Sequence, residues 1–119
     1  MLIITNNPYV NEKYKNSYFI VGTSKELLTK VRDMIYKGHE LISHPLGASL
    51  RMMLSPYRSI IITDKVVTLN NFHVEIVSKS IEMYINTIGR RKNDLKNEKD
   101  YAAIDLLLLE SALKEVAKV

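Results

Sequence analysis

Apolar and polar positions fall in blocks along this chain, and the block lengths separate strands from helices. Leu2-Ile3-Ile4 and Tyr18-Phe19-Ile20-Val21 are short apolar runs that stop in polar segments, Thr5-Asn6-Asn7-Pro8 and Gly22-Thr23-Ser24. Such runs, bounded by turn formers, predict strands over 2–4 and 18–21. Between them Asn7 as N-cap and Pro8 at the first helical position predict a two-turn helix over 8–15. That connection is short for a parallel crossover, so the pairing of the two strands stays open.

The pattern then changes period. Thr23 and Glu26 have capping-box spacing, and Leu27, Leu28, Val31, Met34 and Ile35 follow on one helical face. Gly38 suits a left-handed helix end, with the cation Lys37 beside it. Glu40 to Ser43 reads as the next strand, which makes a right-handed βαβ unit. Residues 44–58, between Pro45 and Pro56, form a loop or an irregular short helix. Ser59-Ile60-Ile61-Ile62-Thr63 reads as a central strand, because its β-branched run is unbroken.

From Asn70 or Asn71 a long helix runs to Ile88, with Phe72, Ile76, Val77, Ile81, Tyr84 and Ile88 on one face and Gly89 ending it. Asp100 can cap a last helix over 101–117. Leu106-Leu107-Leu108-Leu109, widened by Ile104, Ala112, Leu113 and Val116, is apolar on most sides. A helix of that kind is buried on most sides or supplies a dimer interface, and a homodimer is expected. The whole predicts a single α/β domain over 1–119, in two or three layers, with a mostly parallel sheet of about four strands flanked by helices.

Composition narrows the function. A chain of 119 residues buries roughly two-thirds of its unfolded surface, so it needs neither disulfide nor metal to hold a core. It has no cysteine, which excludes thiol catalysis, disulfide exchange and thiolate metal sites. The start lacks the basic region of a signal peptide, and no apolar stretch approaches the roughly 20 residues that cross a bilayer, so a cytoplasmic protein is expected. The net charge of +4 sits largely in Arg90 to Lys99, where five basic residues face two acids without aromatics. That composition is a solvated loop and argues against nucleic-acid binding.

If the strands before Asn6, Gly22 and His44 run parallel, their polar ends gather at one sheet edge, where open α/β sheets hold ligands. Asn6, Asn7, Ser43, His44 and Ser49 are then candidate ligand contacts. His44 can act as a general base or an anion contact, or can bond a neighbouring loop. Gly47-Ala48-Ser49 can offer successive amides to an anion, and Arg51 and Arg58 can pair with a carboxylate or phosphate. The segment has neither Walker nor G-x-S-x-G spacing. Asp105 and Glu110, five residues apart on one helix, project about 140° from each other and make a poor acid–base pair. His39, His44 and His73 lack metal-ligand spacing, so no metal is expected.

Four blocks carry a resemblance: Leu2-Ile3-Ile4-Thr5-Asn6-Asn7-Pro8, Gly38-His39-Glu40-Leu41-Ile42-Ser43-His44-Pro45-Leu46, Pro56-Tyr57-Arg58-Ser59-Ile60-Ile61-Ile62 and Ile104-Asp105-Leu106-Leu107-Leu108-Leu109-Glu110-Ser111-Ala112. In this order they resemble the GrdX family, small proteins encoded beside the glycine, sarcosine and betaine reductase system of amino-acid-fermenting anaerobes. The resemblance marks Asn6, Asn7, Pro8, His44, Pro45, Tyr57, Asp105 and Glu110, and it implies reductase subunits as partners. It also implies a non-catalytic accessory or regulatory protein without a cofactor, whose molecular activity is unassigned. Met52-Met53-Leu54 departs from the family pattern and could form an exposed contact surface. The alternative is a small anionic ligand-binding protein, or a modest enzyme, with its site at the strand ends.

Overall fold

The computed structural model describes residues 1–46, 50–66, 69–88 and 95–117. Its strands are β1 (Leu2–Thr5), β2 (Ser17–Phe19) and β3 (Ser59–Ile62), and its helices α1 (Pro8–Lys13), α2 (Ser24–Tyr36), α3 (Asn71–Ile88) and α4 (Glu98–Ala117). Short 3-10 turns cover Leu50–Leu54 and Leu95–Asn97. The sheet has the order β2-β1-β3, with β1 parallel to β2 and antiparallel to β3.

The sheet is thus three-stranded and mixed, where four mostly parallel strands were expected. Glu40–Ser43 makes a single antiparallel bridge, Leu41 to Ile62, instead of a strand. The N–H groups of Ile42 and Ser43 both donate to the Ile61 carbonyl, at 2.9 and 3.1 Å. The Ser43 hydroxyl accepts from the Ile61 N–H at 2.8 Å, where a backbone carbonyl would continue the ladder. A side chain therefore ends the strand before it forms. β3 lies antiparallel both to this segment and to β1.

β3 is also not central. β1 is, and the Glu40–Ser43 segment covers the outer edge of β3. Its unbroken isoleucine run has another cause: both faces of the strand are roofed. Ile60 and Ile62 face α2 and α3, packing with Ile4, Leu27, Val31, Met53 and Val77. Ile61 faces the other way with Ile3, Val10 and Leu109. The domain has three layers, α2 and α3 on one face of the sheet and α1 and α4 on the other.

Local signals account for the helices. Asn7 accepts from the Tyr9 N–H and caps α1, with Pro8 at its start. The Thr23 hydroxyl accepts from the Glu26 N–H at 3.2 Å, while the Glu26 carboxylate meets that hydroxyl rather than the Thr23 amide, so half of the capping box forms. Gly38 takes φ 110°, and the bonds from Gly38 N–H to Ile35 and from His39 N–H to Met34 complete a Schellman end.

Three other expectations shift. β2 stops at Phe19, and Val21 is 88% exposed, because the chain peels away once Ile20 N–H has bonded the Thr5 carbonyl. α3 buries Val77 and Tyr84, with Val74, Ile81 and Ile88 packed alongside, and leaves Phe72 69% exposed off that stripe. α4 begins at Glu98, so Asp100 lies in its first turn and is not its cap. α4 is not buried on most sides either: it buries Ala102, Asp105 and Leu109, but exposes Ile104, Leu107 and Leu108.

Ile61 is fully buried where α1, α4 and β1 meet, and its neighbours are held by the sheet. Ile61→Ala should cost about 2–5 kcal/mol, as cavity-forming substitutions do. Urea unfolding at neutral pH would show it as a lower midpoint with an unchanged slope.

Candidate functional site

The direction of the strands decides where the polar ends fall. The Glu40–Ser43 segment runs antiparallel to β3 and hence with β1 and β2. Asn6, Gly22 and His44 therefore lie at one sheet edge, joined there by Arg58 and Ser59 at the start of β3. At this edge a cleft of about 410 Å³ opens between α4 and the chain around Ser43–Leu46. That volume lies within the roughly 300–1,000 Å³ usual for ligand sites.

The floor of the cleft is built from a cross-strand pair. Thr5 and Ser59 are opposite each other in the β1–β3 register, on the α4 face, and their hydroxyls lie 2.7 Å apart. Asp105 comes down on them from α4. Its Oδ2 accepts from the Ser59 hydroxyl at 2.7 Å and from the Asn7 side-chain amide at 2.9 Å. The same amide donates to the Ala102 carbonyl at 2.8 Å, and the Asn7 N–H donates to the Thr5 hydroxyl at 3.0 Å. Thr5 and Asn7 have no exposed surface, and Asp105 is 6% exposed. Burial pushes the Asp105 carboxyl up, while the bonds from Asn7 and Ser59 and the charge of Arg58 pull against that.

Arg58 is 5% exposed and spends its guanidinium on the loop. Nη1 donates to the carbonyls of Pro45 and Leu46, at 3.5 and 3.3 Å, and Nη2 donates to that of Met52 at 3.1 Å. The guanidinium carbon stands 5.7 Å from the Tyr84 ring centre, a cation–π contact. Among the described residues, Nε is the buried side-chain nitrogen without a partner. Burial lowers the Arg58 pKa, against the pull of Tyr84 and Asp105. Tyr57, also on the cleft, donates its hydroxyl to Glu98, and burial with that bond pushes its phenol up to about 12.

The predicted residues thus divide. Ser43, His44, Arg58 and Asp105 line the cleft. His44 Nδ1 accepts from the Leu46 N–H at 3.1 Å, a loop bond that leaves the proton of the neutral ring on Nε2. Asn6 stays behind the lining: its amide donates to the carbonyls of Gly22 and Pro56, and its oxygen accepts from the Arg58 N–H at 2.8 Å. Asn7 caps α1 and holds Asp105. Glu110 points elsewhere, pairing with Lys13 and accepting from the Tyr14 hydroxyl at 3.3 Å, so it ties α4 to α1. Its bond with Lys13 holds its carboxyl below the usual range. Ser49 and the Gly47-Ala48-Ser49 amides lie outside the described residues, as does most of the basic run from Arg90, and the Arg51 side chain is not described.

The methionines expected at a contact surface are core instead: Met52 is 9% and Met53 2% exposed. Sequence reasoning also missed Thr5 and Ser59. Their signal was period two, since each alternates with an isoleucine on the same strand face, and a polar pair in a roofed register needs a buried partner.

These residues sit in the stretches that family comparison joins. Residues 2–114 match the family described as GrdX-like protein. The chain belongs to the GrdX-like family. No curated protein and no solved structure matches it. In this GrdX-like chain Asn7, His44, Tyr57 and Asp105, far apart in sequence, meet on or beneath one cleft. Among its described residues, no helix is long and apolar enough to cross a membrane, and no three acids or histidines form a group that could hold a metal.

A carboxyl raised on folding favours the folded state while protonated; that contribution is full below its unfolded pKa and is lost as pH rises through the folded one. Urea midpoints should therefore show wild type losing stability relative to Asp105→Asn from about pH 4 upward. Parallel curves would refute the shift. Asp105→Ala, which strands Asn7 and Ser59, should cost about 1–3 kcal/mol for each buried group left unpaired.

Proposed function

We propose that this chain is a non-catalytic accessory protein of the glycine, sarcosine and betaine reductase system, working by binding. Membership of the GrdX-like family supports the context. The observation that carries the mode of action is how the polar groups at the cleft are used. Asn7, Ser59 and Asp105 hold one another, Arg58 holds loop carbonyls, and His44 holds the Leu46 amide. Groups tied in this way shape a receptor more readily than they move protons, since a general base has to reach the proton it takes.

The reading extends to assembly and place. Ile104 and Leu107, one turn apart on α4, are 43% and 64% exposed, and a two-fold contact between copies would cover them. A cytoplasmic setting fits both the reductase context and the absence of cysteine.

Tagged wild-type chain, incubated with lysate of a glycine-fermenting anaerobe under anaerobic conditions, should retain a reductase subunit identifiable by mass spectrometry. Retention of none overturns the accessory role. Light scattering on the isolated chain should give twice the monomer mass, falling to the monomer in Leu107→Glu.

A further inference from the structure

The donors and acceptors around the cleft are unequally engaged. On the donor side, both Nη atoms of Arg58 go to backbone carbonyls, its Nε is buried, and the Tyr57 hydroxyl goes to Glu98, so the cation has no reachable N–H to offer and the His44 ring N–H is the donor that remains. On the acceptor side, Asp105 lines the cleft with its carboxylate. The Asn7 amide, the Ser59 hydroxyl and the Ser59 backbone N–H act on it, against about four acceptor positions on an ionised carboxylate.

Charge points the same way. Among the described lining residues Arg58 is the buried cation and Asp105 the buried anion, and of the two it is Asp105 whose charged group stays open to the cleft. An incoming carboxylate would find the guanidinium engaged and the like charge of Asp105 in the wall. An incoming cation would find a buried carboxylate beside a wall of hydrocarbon. Asp105, Leu108, Leu109 and Ala112 stand at i, i+3, i+4 and i+7 on α4 and so share one helix face, with Leu46 and Met52 also on the lining.

We propose, building on the binding role above, that the cleft takes a small organic ammonium, its N–H groups on the Asp105 carboxylate and its short hydrocarbon body against Leu108, Leu109 and Met52. Asp105 supplies a charge-assisted bond in a site shielded from water, where such bonds are strongest. The apolar wall selects against a bare inorganic cation. Asn7 and Ser59 are positioning residues: they fix the carboxylate on the sheet so that it faces the cleft with no side-chain entropy left to lose.

The probe is n-butylammonium chloride, titrated into the full chain at low salt and followed by amide NMR, with sodium butyrate and n-butanol as matched controls. Saturable shifts on α4 around Asp105 are expected with the ammonium and not with butyrate. Asp105→Asn, checked for a native-like spectrum, should weaken binding by about tenfold or more. Leu108→Lys places a like charge on the exposed rim without touching the network, and should weaken it too. Butyrate binding as tightly as the ammonium overturns the proposal, as does no saturation, or unchanged affinity in a folded Asp105→Asn. If Asp105→Asn does not fold, unchanged affinity in Leu108→Lys overturns it. Capture of a reductase subunit without ammonium binding removes the ligand assignment and keeps the accessory role, whereas ammonium binding without capture does the reverse.

Discussion

One buried carboxylate ties three distant parts of the chain. Asp105 accepts from Asn7 just after β1 and from Ser59 at the start of β3, and so fixes α4 to the sheet at the point where the cleft begins. A charge out of water is costly unless hydrogen bonds replace its hydration. The cost is met here by groups that other constraints already hold: Asn7 by its cap of α1, Ser59 by its register opposite Thr5. The bond is therefore directional where the rest of the α4 interface is hydrocarbon. Leu109 and Ala112 would tolerate a rotation or slip of the helix, but Asp105 would not.

Arg58 does for the loop what Asp105 does for the helix. Between His44 and Arg58 the described residues hold one short 3-10 turn, Leu50–Leu54, and the guanidinium gathers three of their carbonyls from the inside. The two charges attract across a short stretch of β3, one holding each wall of the cleft. The cleft is thus a by-product of two separate anchors, and its shape is set by backbone they immobilise more than by the side chains that line it.

Much of this was legible in the sequence, and the illegible part has physical causes. Helices declared themselves through local signals: the Asn7 and Thr23 caps, the Gly38 end, and the apolar spacing along Leu27, Val31 and Ile35. The gathering of Asn6 and His44 at one sheet edge followed from where apolar runs stop. The sheet departs from the apolar pattern because Ser43 ends its strand by a side-chain bond to Ile61, which no periodicity records. An isoleucine run such as that of β3 reports burial of two faces and says nothing of which edge is paired, so it does not distinguish a central strand from this one. Asp105 stood out as an acid in a leucine helix, yet its partners Thr5 and Ser59 did not, since their pairing depends on a register 54 residues apart.

The three-layer arrangement also has a history in time. The α4 layer is the last of these elements to leave the ribosome, while the face it covers, Ile3, Val10 and Ile61, is complete once β3 has paired with β1. At roughly 5–20 residues per second, that face waits for several seconds of synthesis before α4 arrives. During that interval α1 alone covers that face, and Ile61, Asn7 and Ser59 wait for Leu109 and Asp105.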